Sequence, residues 1–375
     1  MTAFADAAEV LREAVAARAF PAASVEVGRS RGPLWTAAVG RFTYETDAPD
    51  ATSRTVFDLA SLTKVIATTT LAMRAVDDGR VSLDTAVAER LRAWRGRDRE
   101  HVTIRDLLAH CSGLTGYMPF YRDSTGRPEF EHAICSMPLE YEPRTQSIYS
   151  DLGFILLGFI LETPAPGPSQ TADTPPERSG APVARWDPAT RLAGQFRRVA
   201  TYLTPQPLTF NPPRAWRSQT APTELDLWRG RLLVGEVHDE NAWALGGVAG
   251  HAGLFGTAAA VGAFARALLL TVHGADLVAK TTTMRRFITR TDVPGSSRAL
   301  GWDTMVPTSS CGSRMSPTAI GHTGFTGTSL WIDWERDLYV VLLTNRVHPT
   351  RENDAIQKVR PRFHDAVLED VVGGP

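Results

Sequence analysis

The spacing of apolar residues changes period several times along this chain, and each change marks an element. Residues 5 to 19 alternate apolar and charged positions at helical spacing and predict an amphipathic helix. Residues 23 to 27 and 34 to 39 read as strands joined by the turn-like run Gly28-Arg29-Ser30-Arg31-Gly32. Near the other end, residues 329 to 333 and 338 to 344 make a second hairpin pattern around Trp334-Glu335-Arg336-Asp337. A closing helix follows over about 353 to 371, interrupted near Pro361. Between these ends, residues 57 to 228 supply mostly helices. One of them carries Val65, Ile66, Ala67, Leu71, Ala72 and Met73, which make it apolar on most sides and therefore buried. Another holds the apolar run Phe154 to Leu161, far shorter than the roughly 20 residues needed to cross a bilayer.

Two stretches break the pattern. Residues 163 to 182 are rich in Pro, Gly, Ser and Thr and read as a surface insertion, and residues 204 to 213 are proline-rich and extended. No internal repeat is visible. With 375 residues, 43% hydrophobic content and a formal net charge of -1, the chain can bury a large core and has no bulk attraction to nucleic acid or membrane. The first residues run into the helix without a continuous apolar leader, so the chain as written is expected in the cytoplasm, or outside it if a leader has been removed. Cys111, Cys135 and Cys311 have no metal-ligand spacing and leave an odd thiol, so no disulfide framework is expected.

The chemistry concentrates in three places. Ser61-Leu62-Thr63-Lys64 places a hydroxyl and an amine one helical turn apart at the start of the buried helix, where the amine can reach the hydroxyl. A lysine in a buried first turn needs a partner or a purpose. Backbone N–H groups and the positive end of the dipole at a helix start also suit an oxyanion. Tyr149-Ser150-Asp151 precedes the apolar run at 154 to 161, and Gly321-His322-Thr323-Gly324-Phe325-Thr326-Gly327 precedes the strand at 329 to 333.

These three segments, in this order, resemble the signatures of the serine beta-lactamase and penicillin-binding protein superfamily, in the branch of class C beta-lactamases, D-alanyl-D-alanine carboxypeptidases and related esterases. Val102 to Leu114 resembles the helix and turn that follow the nucleophile helix there, and Gly250-His251-Ala252-Gly253-Leu254-Phe255-Gly256-Thr257 its glycine-rich turn. The resemblance implies an α/β fold of the α+β type: one antiparallel sheet, built from both chain ends and flanked by the terminal helices, plus a mostly helical domain. The expected division is 1–56 with 229–375 against 57–228, the insertion near 163–182 lying in the second. It further implies that Ser61 is acylated, that Lys64 and Tyr149 share the proton, and that the N–H groups of Ser61 and Phe325 form the oxyanion hole. Asp151, His322, Thr323 and Gly324 would contact substrate, and His251 would either approach it or serve as a structural histidine. No cofactor and no metal are implied, and the partner is a small molecule or short peptide.

Two positions depart from the commonest pattern of that superfamily. Asp151 stands where asparagine is usual; a carboxylate there can pair with Lys64, keep it protonated and push the base role toward Tyr149. His322 stands where true beta-lactamases usually carry lysine, and its ordinary pKa predicts activity that changes between pH 6 and 7. Both departures fit a carboxypeptidase or esterase at least as well as an antibiotic-destroying enzyme. The cluster Glu236, His238, Asp239, Glu240 and His251 lacks the spacing that puts two histidines on one helical face, which argues against a metal site. Two functions remain: a serine hydrolase working through an acyl-enzyme on amide, lactam or ester carbonyls, or a penicillin-binding-like receptor without efficient turnover.

Overall fold

The two hairpin patterns, some 300 residues apart in the chain, are neighbours in space. The computed structural model describes residues 4–163 and 191–372. In it, six antiparallel strands run in the order Gly32–Gly40, Ala22–Arg29, Leu338–Thr344, Ser329–Asp333, Ile320–Thr323, Asp303–Thr304. The central pair sets Ala23 opposite Thr344 and Gly28 opposite Tyr339.

Strand Leu338–Thr344 is apolar without alternation because both of its faces are covered. Val340 and Leu342 pack with Leu11 and Ala14 of the N-terminal helix (Ala5–Ala16) and with Phe363 and Val367 of the C-terminal helix (Ile356–Val372). Tyr339, Val341 and Leu343 face the other way, onto Val261, Phe264 and Leu268 of the helix Ala258–Val272. Successive side chains leave a strand on opposite faces, so each layer takes every second residue. Each aliphatic side chain buried this way contributes roughly 1.5 to 3 kcal/mol. The Glu26 carboxylate points into the inner layer and accepts hydrogen bonds from Tyr339 at 2.7 Å and Arg266 at 2.6 Å, which offsets its loss of water.

Several boundaries differ from those read in the sequence. The N-terminal helix stops at Ala16 because Arg18 takes a left-handed backbone, φ 57°. The C-terminal helix runs through Pro361 without interruption. Proline in the second turn removes only one intrahelical hydrogen bond, and packing on the sheet holds the helix across it. Of the insertion expected at 163–182, all but Thr163 lies outside the described residues. Within 204–213, Leu208–Phe210 forms an edge of a small second sheet whose centre is Leu254–Gly256 and whose other edge is Phe57–Asp58. That small sheet joins the layers, and the largest apolar cluster is continuous from Leu62 and Ile66 to Leu330 and Ile332. The three cysteines are buried and unpaired.

Candidate active site

Ser61 sits where the edge strand Phe57–Asp58 turns into a helix. The turn is forced: Ala60 has a left-handed backbone, φ 46°, and its N–H donates to the buried Asp58 carboxylate at 2.8 Å. The second oxygen of Asp58 accepts the N–H of His238 at 2.7 Å, tying this turn to a distant loop. After Ser61 the backbone enters a π-helical stretch, Lys64–Thr69, before becoming the α-helix Thr70–Asp77. The wider π turn was not legible from spacing alone. Such turns cluster at functional sites.

Lys64 is fully buried, and its ammonium donates to the Ser61 hydroxyl at 2.9 Å and to the His251 carbonyl at 3.1 Å. It also forms an ion pair with the Asp151 carboxylate at 2.7 Å. Burial alone would lower its pKa, but Asp151 and then Tyr149 outweigh that and hold it above the usual lysine value. Asp151 owes its place to Ser150, whose hydroxyl accepts the Gly153 N–H and caps the helix Asp151–Glu162, so that the carboxylate stands in the first turn.

Tyr149 is gripped from both sides by one residue. The His110 carbonyl accepts the N–H of Ile148 at 2.9 Å, His110 Nδ1 accepts the N–H of Ser150 at 3.0 Å, and the His110 ring packs 4.8 Å from the Tyr149 ring. His110 itself is held at φ 56°. Burial raises the Tyr149 pKa, and hydrogen bonding and charge from Lys64, with a hydrogen bond to Ser61, recover only part of the shift. Tyr149 is therefore a phenol at neutral pH. The second cation beside it is Arg298, whose guanidinium stands 5.1 Å from the centre of its ring.

The third segment is the end of strand Ile320–Thr323 and the turn after it. Its outer neighbour, Asp303–Thr304, pairs only with Ile320 and Gly321, which leaves the edge from His322 onward open to a ligand backbone. Gly324 must be glycine: a Cβ there would lie 2.1 Å from Thr328 Oγ1 and 2.6 Å from the Leu59 carbonyl. The close approach lets the Thr326 and Thr328 hydroxyls bond the carbonyls of Asp58 at 2.7 Å and Leu59 at 3.0 Å, which stitches this turn to the residues just before Ser61. Among the described residues neither the Ser61 nor the Phe325 N–H has an intramolecular acceptor. Both are free to hydrogen-bond an oxyanion.

A cavity of about 620 Å³ opens over these groups and is lined by Ser61, Tyr149, Asp151, His322, Thr323, Gly324 and Phe325, with Arg298 and Tyr117 among its walls. Two expectations are corrected. His322 is buried, with Nδ1 donating to the Thr323 carbonyl at 2.7 Å; burial, then the charges of Arg298 and Lys64, push its pKa well below 6.5. It stays neutral across pH 6 to 7. His251 does not reach the cavity: its buried ring bonds Asp239 at 2.8 Å, and only its carbonyl serves the site, through Lys64. The acidic cluster around it is occupied by protein partners. Asp239 caps the helix Glu240–Ala244, Glu240 pairs with Arg351, and His238 meets Glu224. Among the described residues no group of three His, Cys, Asp or Glu is placed to hold a metal ion. The roles missed in the sequence are those of Arg298, Asp58 and His110: the first two reach the site only through the tertiary fold, and His110 lies within the 102–114 segment, whose spacing does not show that it grips Tyr149.

The beta-lactamase family model matches residues 7–360 of the chain. A Salmonella gallinarum protein named "Putative D-alanyl-D-alanine carboxypeptidase" is 30% identical over 337 residues, covering 82% of this chain and 73% of its own. Among solved structures, EstCE1, described as a hydrolase with promiscuous acyltransferase activity, superposes with a TM-score of 0.71 at 20% identity, covering 97% of each chain. Unliganded simvastatin synthase (LovD) from Aspergillus terreus gives a TM-score of 0.70 at 18% identity, also covering 97% of each. Those two likenesses carry the fold. Among the described residues no helix is long and apolar enough to cross a membrane.

Proposed function

The chain belongs to the beta-lactamase family of serine hydrolases, and from that premise we propose that it is a carboxypeptidase that removes a C-terminal D-alanine from a short peptide through an acyl-enzyme. Ser61 Oγ attacks the scissile carbonyl carbon. Its proton passes to the Tyr149 oxygen while the Tyr149 proton moves to the departing amine, so the phenol is a relay and never needs to be stored as phenolate. The C–N bond breaks, the amino acid leaves with that proton, and the peptide stays esterified to Ser61. Water then attacks the ester, one of its protons returns through Tyr149 to Ser61, and the shortened peptide leaves as a carboxylic acid. The N–H groups of Ser61 and Phe325 take the oxyanion in both halves, each worth roughly 2.7 to 4 kcal/mol. Lys64, held charged by Asp151, keeps positive potential beside the two oxygens that exchange the proton.

One observation carries the choice of a peptide with a free carboxylate over a neutral ester. Arg298 lines the cavity near His322 and Thr323, and among the described residues no carboxylate lies within ion-pair distance of it. A guanidinium there supplies the charge that the neutral His322 lacks, and its fork matches a carboxylate. The name of the Salmonella relative supports the same substrate class.

The test is side-by-side turnover of an acylated D-Ala-D-Ala peptide, its C-terminal amide, a chromogenic cephalosporin and a neutral p-nitrophenyl ester, with Ser61→Ala as the blank. The expected result is a preference of about 100-fold for the free acid over the amide, the size of a lost charged contact. Equal turnover of acid and amide would sink the proposal, and stoichiometric acylation without turnover would assign a receptor instead.

A further inference from the structure

The C-terminal helix sends one guanidinium beneath the third active-site segment. Arg360 is 8% exposed, and its Nη2 donates to the carbonyl oxygens of Gly324 and Thr328, each at 2.9 Å. Among the described residues no carboxylate pairs with it, and the charge it feels most is that of another cation, Arg346. Keeping a buried charge without a counter-ion is costly. The two carbonyls do not require it: Gly324 O already accepts the Gly327 N–H at 3.0 Å, and Thr328 O accepts the Gly324 N–H at 2.8 Å. Satisfying backbone acceptors therefore does not explain why this cation is buried here.

The peptide unit that links Gly324 to Phe325 does. Its carbonyl is the one Arg360 grips, and its N–H is that of Phe325. In a planar trans peptide the C=O and N–H point in opposite directions, so a donor fixed on the oxygen sets where the hydrogen is aimed. A charged donor on that oxygen also draws electron density from the amide and strengthens the hydrogen bond given at its other end. The next peptide is held similarly, with Arg346 Nε donating to the Phe325 carbonyl at 2.7 Å. We infer that Arg360 is a positioning residue for the oxyanion hole: from behind, it fixes and polarises the Gly324–Phe325 peptide whose N–H meets the developing negative charge. This rests on the reading of Ser61 as nucleophile and Phe325 N–H as oxyanion donor.

The experiment compares the full-length protein with Arg360→Met and Arg360→Gln on a p-nitrophenyl ester and on its thiono counterpart, in which sulfur replaces the carbonyl oxygen and relies far less on hydrogen bonding. For Arg360→Met, kcat on the oxygen ester should fall about 10-fold, KM should stay within about twofold, and the thionoester should slow by less than about twofold. The oxygen-to-sulfur rate ratio therefore shrinks about 5- to 10-fold. The melting temperature should hold or rise, because an apolar chain of similar length replaces an uncompensated charge. An unchanged ratio in the folded Met variant would overturn the inference, as would equal slowing of both esters together with a lower melting temperature. Should the Met variant not fold, Arg360→Gln, which keeps a donor but not the charge, must also shrink the ratio or the inference fails. Ser61→Ala is read separately: an ester burst that survives it overturns the reading of the site itself, whatever the Arg360 variants do.

Discussion

Replacing Asp151 by asparagine removes one charge and almost no volume, and it separates two roles for Lys64. The Nζ to carboxylate distance is 2.7 Å, with Lys64 fully buried and the Asp151 side chain 18% exposed. At an effective dielectric near 20, Coulomb's law gives about 6 kcal/mol for such a pair. Relaxation and water at the partly exposed carboxylate reduce that figure, but the sign is fixed: the carboxylate favours the charged lysine. In the wild type the ammonium is held above the usual lysine range. In Asp151→Asn the largest opposing charge is gone, burial weighs more heavily against the ammonium, and it is expected to lose its proton at lower pH than in the wild type. If the charged lysine supports the Tyr149 relay, kcat/KM on the D-Ala-D-Ala peptide, followed by D-alanine release from pH 6 to 10, stays level in the wild type. In the variant it falls as pH rises within that range, with the two within about threefold at pH 6. Activity that instead climbs with pH across that range would mean neutral Lys64 is the base, and the argument from the Lys64–Asp151 ion pair would be wrong.

Four other outcomes follow from the same geometry. Arg298→Gln should raise KM for the free-acid peptide about 10- to 100-fold and leave the neutral ester within about twofold; equal effects on both would remove Arg298 from substrate recognition. Gly324→Ala should cost at least about 100-fold in kcat, because its Cβ would fall 2.6 Å from the Leu59 carbonyl and push the Phe325 N–H out of place. The pH profile should show no inflection between 6 and 7, since His322 is already neutral; an inflection there that His322→Gln abolishes would contradict its burial. Glu224 resists the effect of burial because His238 and Arg351 draw its pKa down to about 2. Its folded value is depressed, so its contribution is complete above pH 4.5 and lost as pH falls toward 2, about 3 kcal/mol in all. Urea unfolding at pH 6 and pH 3 should show a smaller acid loss in Glu224→Gln than in the wild type.

What the sequence disclosed was whatever is local. Ser61 with Lys64, Tyr149 with Asp151, and His322 to Gly324 are each contiguous motifs, and the two hairpins announce themselves by turn chemistry and apolar runs. The strand spans 329 to 333 and 338 to 344 match the structure residue for residue. What stayed hidden depends on packing. Nothing near His322 in the chain says that Arg298, Lys64 and a closed interior will hold its ring neutral, so its ordinary titration was the natural expectation. For His251 the sequence left a ligand-facing and a structural role both open, and packing decides for the second, its side chain being turned toward Asp239, twelve residues upstream. Pro361 read as a break because local rules cannot weigh the sheet that supports both sides of it.

The seam between strands Ala22–Arg29 and Leu338–Thr344 joins segments that leave the ribosome some 300 residues apart. The sheet cannot close until residues 338 to 344 have been made, and only then is the Phe325 amide held beside Ser61. Such long-range closure favours slow folding. A product cut short of residue 338 would carry Ser61 without the strand pairing that sets the Phe325 amide beside it.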